Sequence, residues 1–163
     1  IASSDKDFFQ LLKPNIRLLN PNDKTGTLWE AEQVIAKTGV APVQIIDWLS
    51  LVGDAVDGIP GVPGVGPKTA AKLLNEYKTA ANIYQNLDAI SSEKLRAKMA
   101  AAEADVWRNQ ELVRLKKMPQ WQLSLPDLAP GPGDYGALHA QYSRWNFRTL
   151  LRELENGRQG ELL

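Results

Sequence analysis

Hydrophobic residues recur at helical spacing along most of the chain, which predicts a largely helical protein. The longest such pattern starts at Leu95 and predicts one helix that ends near Leu115, before Pro119. The other predicted helices cover residues 5–12, 28–38, 42–52, 68–77, 80–87 and 138–154, the last as one helix or a pair.

Local signals mark several helix ends. Thr27 and Glu30 have the spacing of a capping box, and Gly39 is typical of the residue that follows a helix. Thr79 predicts the start of the short helix that ends near residue 87. In the last helical segment, the aromatic residues at positions 142–147 are expected to be core anchors rather than a stacking platform.

Extended segments are few and short. Residues 1–3 are typical of a strand end, residues 16–19 of a short strand, and residues 121–125 of a strand or an extended arm. The predicted fold class is therefore α/β, with mainly α structure in this chain. Because the chain starts at what looks like a strand end and without Met, we expect it to be a piece of a longer protein.

Composition excludes several kinds of site. The 163 residues are 44% hydrophobic and 23% charged, which is typical of a folded domain. Cysteine is absent, so disulfides, thiolate metal sites and cysteine nucleophiles are excluded. His139 is the one histidine, which argues against a histidine zinc site or a catalytic triad. No apolar run approaches the roughly 20 residues that span a bilayer, so a membrane partner is not expected.

Charge is unevenly distributed along the chain. Residues 1–60 carry 5 basic and 8 acidic side chains, whereas residues 61–120 carry 10 basic and 6 acidic ones. An acidic first third and a basic middle part are compatible with a phosphate-bearing partner and equally with ordinary scatter. The basic residues at 94–98 and 114–117 form either an additional DNA track or a solvated face, and the solvated face is the favoured interpretation.

A segment rich in glycine and proline, residues 53–69, is the most informative part of the chain. Gly61, Gly66 and Lys68 superficially imitate a phosphate-binding loop. Pro67 excludes that interpretation, because the loop needs consecutive backbone N–H groups and proline has none. The segment is instead typical of a helix–hairpin–helix motif, in which Pro67 occupies the first turn of the second helix.

This hairpin predicts a site for a nucleic-acid backbone. The turn Gly64-Val65-Gly66 lets a phosphate approach closely, and amides at the following helix start attract anions. Lys68 and Lys72 add attraction that does not depend on base sequence. The carbonyl groups that precede the glycines are candidate ligands of a monovalent cation; they belong to Pro60, Val62 and Val65.

Two pairs of aspartates are candidate metal ligands. Asp54 and Asp57 precede the hairpin and are one helical turn apart, while Asp5 and Asp7 share one face of an extended segment. Crowded carboxylates repel each other unless a cation joins them, and oxygen ligands alone suit Mg²⁺ or Mn²⁺. Two such ions assist phosphodiester hydrolysis. Alternatively, these aspartates are helix N-caps and surface charges.

Several separated motifs, in the same order, resemble bacterial 5′–3′ exonucleases. The similarity is greatest to the 5′–3′ exonuclease domain of bacterial DNA polymerase I, in the flap endonuclease superfamily, and it extends over nearly the whole chain. The matching segments are Ser4–Asp7 followed by FFQLL, residues 39–47, residues 51–71, residues 72–77 and residues 147–154. In two motifs the sequence departs from the family, at Ser4 and Gly58, and neither change removes a carboxylate.

The resemblance implies the C-terminal part of a PIN-like nuclease fold with a helix–hairpin–helix (SAM-like) DNA-binding subdomain. It implies a nuclease remnant at 1–40, the DNA-binding subdomain at 41–118, and an arm and helices that pack on the nuclease core at 119–163. It assigns the two Mg²⁺ ions of the complete enzyme to Asp5, Asp7, Asp54 and Asp57, and it assigns K⁺ and duplex binding to residues 60–69, including Thr69.

The resemblance also implies a bacterial cytoplasmic, nucleoid-associated nuclease that acts on duplex or 5′-flap DNA without sequence preference. A fused or associated DNA polymerase stays open as a partner. Further family carboxylates and arch residues match positions before Ile1, so this chain alone is expected to be nearly inactive. The alternatives are a non-catalytic module that grips duplex DNA and, less favoured by the hairpin, an RNA nuclease.

Overall fold

The computed structural model describes residues 1–116, 124–129, 131 and 133–160. The chain divides into two compact units, Ile1–Lys117 and Met118–Leu163. The predicted strand or arm at 121–125 lies largely outside the described residues. Among the described residues, no single helix is long and apolar enough to cross a bilayer, although the bent pair Ala31–Thr38 and Pro42–Val52 passes that test by length and composition.

The first unit is mainly helical. Two antiparallel two-stranded pairs accompany the helices: β1 (Leu18–Leu19) with β2 (Leu28–Trp29), and β3 (Gly53–Asp54) with β4 (Ile59–Pro60). The helices are α1 (Ala31–Thr38), α2 (Ile45–Val52), α3 (Pro67–Tyr77), α4 (Ala80–Gln85), α5 (Glu93–Ala101) and α6 (Glu103–Val113). Three 3₁₀ helices complete it: Lys6–Leu11, Pro42–Gln44 and Leu87–Ala89.

Helix α2 lies at the centre of this unit and packs against α3 and α6. Its residues Ile45, Leu49 and Leu51 are at most 1% exposed, which explains why the segment is apolar on more than one face. Burial of side chains of this size is the main favourable contribution to folding. The helix ends at Gly53, where β3 begins, so the chain passes directly from the core to the candidate site.

The short strand near residue 18 and the chain start belong together. Ala2 forms a parallel bridge with Leu19, and the Ser3 N–H donates to the Leu19 carbonyl at 2.9 Å. This confirms the predicted extended character of both segments. It also positions the residues that follow Ser3, because the backbone is held against β1 before the 3₁₀ helix begins.

Three local predictions need correction. The predicted helix over 95–115 is broken at Ala102, whose φ and ψ of −98° and 6° separate α5 from α6. Thr27 does not cap α1, because residues 28–29 form β2 and Glu30 is the N-cap. The segment at 5–12 forms a 3₁₀ helix rather than an α-helix. By contrast, Thr79 caps α4 as predicted, accepting from the Asn82 N–H at 3.1 Å.

The second unit contains a 3₁₀ helix, Leu125–Leu128, and helices α7 (Tyr135–Arg144) and α8 (Arg148–Gly160). The last predicted helical segment is therefore a pair. The expected core anchors Trp145 and Phe147 contact each other but remain 56% and 45% exposed, and no described residue of this unit is buried. Two helices alone cannot enclose their apolar side chains on all sides.

Candidate metal centre and nucleic-acid interface

Three of the four candidate aspartates, from two distant parts of the sequence, line one open cleft in the first unit, and the fourth, Asp7, does not line it. We call this feature, with a volume of about 350 Å³, the acidic cleft. Its lining combines carboxylates from two places in the chain with two lysines. The lining residues are Ser4, Asp5, Lys6, Lys37, Asp54, Val56 and Asp57.

The first aspartate of each pair accepts a hydrogen bond from a backbone N–H two residues later, which fixes a local turn. Asp5 is the N-cap of the first 3₁₀ helix, and its side chain accepts from the Asp7 N–H at 2.9 Å. Asp54 lies at the end of β3, and its Oδ1 accepts from the Val56 N–H at 3.0 Å. Asp5 therefore has the capping role expected of a purely structural aspartate and also lines the cleft.

Asp7 lies beside the cleft in an electrostatically unfavourable position. The pKa of Asp7 is raised to about 6, mainly by burial and also by the charges of Asp5, Asp57 and Asp54, while Lys6 acts to lower it. Its Oδ1 is buried and has no hydrogen-bond partner within the part of the chain that the structure describes. A buried, unpartnered carboxylate oxygen among other carboxylates is the arrangement that a cation stabilises.

The pKa of Asp54 is shifted in the opposite direction, below its ordinary value. Its side chain is only 5% exposed, and Lys6 Nζ lies 2.8 Å from its Oδ2. Burial acts to raise the pKa of Asp54, but the Lys6 ammonium and hydrogen bonds from the backbone N–H groups of Val56 and Asp57 outweigh it and lower the pKa. A positive charge therefore already neutralises this carboxylate in the metal-free protein.

The candidate ligands are of the chemical type that a hard divalent cation prefers. They are carboxylate oxygens, and one of them, Asp7 Oδ1, is buried without a partner among the described residues. Within the described ranges, however, no three acidic, histidine or cysteine side chains lie close enough together to hold one metal ion. The cleft therefore contains suitable ligands without the closed geometry of a finished site.

The predicted hairpin, residues 60–69, leads directly into α3, and we call it the glycine hairpin. The Val65 N–H donates to the Val62 carbonyl at 2.9 Å, and Gly64 has a φ of +81°, which glycine adopts without strain. Gly66 is the N-cap and Pro67 the first residue of α3, as predicted. No side chain of the described residues caps this helix, so none of them satisfies the first amides of α3.

Close backbone packing ties the glycine hairpin to the end of α2. The Val62 N–H donates to the Leu51 carbonyl at 2.8 Å. A Cβ atom added at Gly61 would overlap with the carbonyl of Val52, so only glycine fits there. Asp54 follows the same end of α2, and the hairpin and the acidic cleft are therefore both attached to one rigid backbone junction.

Two of the three carbonyls predicted to bind a monovalent cation already accept hydrogen bonds. The Pro60 carbonyl accepts from Asn109 Nδ2 at 2.6 Å, and the Val62 carbonyl accepts from the Val65 N–H. Each carbonyl oxygen has a second lone pair, so cation binding through Pro60, Val62 and Val65 stays a prediction.

Two lysines of the segment 94–98, for which the sequence favoured a solvated face over a DNA track, lie next to the hairpin. A groove of about 260 Å³, which we call the lysine groove, runs between the hairpin and α5, and Lys98 Nζ lies against Gly64. The solvated face predicted at 94–98 is thus beside the candidate phosphate site. Lysines four residues apart on one helix face would have indicated this. The groove is lined by Gly64, Thr69, Ser92, Lys94, Leu95 and Lys98.

Asn109 is a residue that the sequence interpretation missed. It is fully buried on α6, and its Nδ2 donates to the Ser50 carbonyl at 3.1 Å as well as to Pro60. It therefore links α2 to β4 across the base of the hairpin. A polar residue at a core-facing helix position, between Val106 and Val113, is the sequence signal that could have identified it.

Comparison with known proteins agrees with this architecture. Residues 40–135 match the family described as 5′-3′ exonuclease, C-terminal SAM fold. The chain is 38% identical to the 5′-3′ exonuclease of Aquifex aeolicus (strain VF5) over 156 residues, covering 95% of the chain and 52% of that protein. It is 35% identical to the thermostable DNA polymerase I of Thermus filiformis over 153 residues, covering 94% of the chain and 18% of that protein.

Solved structures give the same result. A mutant T5 5′-exonuclease superposes with a TM-score of 0.62 at 25% identity, covering 69% of the chain and 45% of that structure. The bacteriophage T5 flap endonuclease, solved in complex with DNA and metal ions, superposes with a TM-score of 0.62 at 24% identity, covering 69% of the chain and 41% of that structure. The chain thus spans about half or less of these relatives, and by its family match and its fold it belongs to the 5′-3′ exonuclease family, whose C-terminal SAM fold it contains.

Proposed function

We propose that this chain is part of a Mg²⁺-dependent, structure-specific 5′–3′ exonuclease or flap endonuclease that hydrolyses DNA phosphodiesters. The observation that carries the proposal is that Asp5, Asp54 and Asp57 line one cleft with Asp7 beside it, and that Asp54 follows the end of α2 on which the glycine hairpin rests. The chain would supply the DNA-binding hairpin and part of the metal site. It would act on chromosomal DNA in the bacterial cytoplasm.

In this proposal, the four aspartates hold divalent ions, which when bound activate water and stabilise the leaving oxygen. Asp5 and Asp54 are held by their turn hydrogen bonds, so their carboxylates face the cleft without further rearrangement of the backbone. The unpartnered oxygen of Asp7 is the group that gains most from a cation.

The hairpin would hold the duplex by its backbone. Amides at Gly64 and Gly66 and at the start of α3 would contact a phosphate, with Lys68, Thr69 and Lys72 beside them. The Val65 N–H already donates to the Val62 carbonyl, so Val65 would hold the turn in shape. Lys94 and Lys98 would extend this surface along the lysine groove. No segment rich in Arg, Asn or Gln follows the hairpin, so binding should not depend on base sequence. K⁺ at the hairpin carbonyls and a fused or associated DNA polymerase belong to the same proposal.

A non-catalytic duplex-binding module is the second candidate. The absence, among the described residues, of three carboxylates close enough to hold an ion favours it, as does the Lys6–Asp54 ion pair. A pure binding module would need the hairpin but not Asp5 and Asp7. The aspartates therefore separate the two candidates.

Cleavage of a labelled 5′-flap DNA in Mg²⁺ and K⁺ tests the proposal, using this chain and the longest natural polypeptide that contains it. Asp54→Asn is made in both. We expect the longer polypeptide to cut, Asp54→Asn to stop cleavage, and this chain to bind duplex with little or no cleavage. If neither polypeptide cuts while both bind duplex in a salt-dependent way, the binding module is the correct function.

A further inference from the structure

Two lysines line the acidic cleft, and their surroundings differ. Lys6 Nζ lies 2.8 Å from Asp54 Oδ2. Lys37 Nζ lies instead 4.9 Å from the ring centroid of Trp29 and 5.6 Å from that of Phe9, and among the described contacts it has no carboxylate partner. The first lysine is therefore paired with a candidate metal ligand, and the second is held by aromatic rings.

The pairing of Lys6 occupies the part of Asp54 that a metal ion would need. Oδ1 of Asp54 accepts the Val56 N–H, and Oδ2 contacts the ammonium. The backbone N–H of Asp57 also donates to this carboxylate, and the side chain is only 5% exposed, so Asp54 has little room for a further partner. A divalent ion that binds through Oδ2 must therefore share this oxygen with the ammonium or displace it.

Lys6 is well placed to leave. Its side chain is 38% exposed, and it lies at the start of the 3₁₀ helix between Asp5 and Asp7. A lysine ammonium is a compact point charge on a flexible four-carbon stem, so it can move several ångströms while the backbone stays in place. The neighbouring carboxylates and water would solvate it after the move.

We propose that Lys6 is a tethered counter-ion: it neutralises Asp54 while no divalent ion is bound, and a divalent ion must displace it. By linkage, a competitor that binds the metal-free site lowers the apparent affinity of the metal. The inference rests on the proposed function, because it needs a divalent-ion site that includes Asp54.

Mn²⁺ binding to the 163-residue chain and to the longest natural polypeptide that contains it tests this, measured by electron paramagnetic resonance of the free ion and by calorimetry at pH 7.5 without DNA. Lys6→Met should tighten Mn²⁺ binding by about fivefold to tenfold, as expected when one competing ion pair to a buried carboxylate is removed. Lys37→Met removes one positive charge from the same cleft without breaking a carboxylate pair. It should change the affinity by less than about twofold.

Two further variants make the result decisive. Lys6→Arg keeps the charge and should keep the affinity within about twofold of the unmodified chain. If Lys6→Met does not show cooperative thermal unfolding and is therefore not folded, Lys6→Gln replaces it in the Mn²⁺ binding measurement. If Lys6 only stabilises the fold, its replacement should lower the free energy of unfolding without tightening Mn²⁺ binding.

The outcomes separate the inference from the proposed function. If Lys6→Met or Lys6→Gln binds Mn²⁺ no more tightly than Lys37→Met, Lys6 is not a competitor, and the metal site itself stands. If no variant binds Mn²⁺, and Asp54→Asn changes nothing, the metal site fails together with the inference. Tightening in Lys6→Met that is absent in Lys6→Arg and lost with Asp54→Asn supports both.

Discussion

The acidic cleft and the glycine hairpin lie in the same unit but are built in different ways. The hairpin is local: consecutive residues form the turn, and its candidate contacts are mostly backbone groups at Gly64–Gly66 and the start of α3. The cleft is not local, because it joins side chains near residue 5 with side chains near residue 55. Its carboxylates also repel one another, whereas the hairpin contains no such conflict.

The difference teaches how two parts of one function depend on the fold. A phosphate site made of amides exists as soon as the turn and the following helix form. A metal site made of like charges exists only when tertiary structure holds the charges together, and it stays electrostatically unfavourable until a cation arrives. We therefore expect mutations to separate binding from cleavage.

The largest expected effect comes from the cleft. Asp54→Asn, in the longest natural polypeptide that contains this chain, should lower flap cleavage at saturating DNA at least about 100-fold, because a ligand that orients the ion is lost. Duplex affinity should change less than about threefold. Asp105→Asn, an exposed position paired with Arg108, is the matched control and should leave cleavage unchanged. Parallel losses of binding and cleavage would mean that the cleft and the hairpin are not separable.

A substitution at the junction between the two regions should have the largest effect on the free energy of unfolding. Gly61→Ala places a Cβ against the Val52 carbonyl and should destabilise the chain by about 2–4 kcal/mol. Gly66→Ala is the control, because nothing lies within 4 Å of its added Cβ. Urea unfolding measures both variants, and equal destabilisation would contradict the close packing of the hairpin on α2.

The lysine groove should affect binding alone. The double substitution Lys94→Ala and Lys98→Ala should weaken duplex affinity about tenfold near 0.1 M salt. It should also reduce the slope of log affinity against log salt concentration by the equivalent of up to about two phosphate contacts. Unrelated duplex sequences should be affected alike. Fluorescence anisotropy over a salt series measures this. Lys13→Ala with Lys24→Ala, at exposed positions that do not line the groove, should leave the slope unchanged.

The smallest expected effect is a pH dependence from Asp7. Because the pKa of Asp7 is raised to about 6, its ionisation opposes folding: the contribution to stability is complete below the unfolded pKa of 3.8 and is lost as pH rises through about 6. Asp7→Asn should therefore stabilise the metal-free chain at pH 7.5 by about 1–2 kcal/mol after solvent screening. The difference between the urea midpoints should shrink as pH falls through about 6 and nearly vanish below 3.8. A gap that is independent of pH would mean that charge is not the cause.

Much of the secondary structure could be predicted from local signals. Pro67 and Thr79 mark the starts of α3 and α4 because capping and proline geometry depend on neighbouring residues only. The break at Ala102 could not, since the surrounding alanines all favour helix. Ala102 is 6% exposed and Met99 is fully buried, so packing of α5 and α6 decides the direction of the chain there.

The candidate site was predicted to a similar extent. The four aspartates and the hairpin residues were identified from spacing and from family resemblance, because each motif is short and contiguous. Lys6 and Asn109 were not assigned a role, and a DNA track that includes Lys98 was the less favoured alternative. Their importance comes from partners 48, 49 and 34 residues away, which are Asp54 for Lys6, Pro60 for Asn109 and Gly64 for Lys98. A charge or an amide has no visible function in sequence until its partner in space is known.

By itself, the sequence determined the helical content, the hairpin and the types of ligand available, because these depend on residues close together along the chain. Only the tertiary structure decided that Asp5 and Asp54 share one cleft, that Lys6 neutralises Asp54, and that the hairpin rests on the end of α2. The physical reason is that Coulomb interactions and steric overlap act over distances of a few ångströms in space, irrespective of separation along the chain.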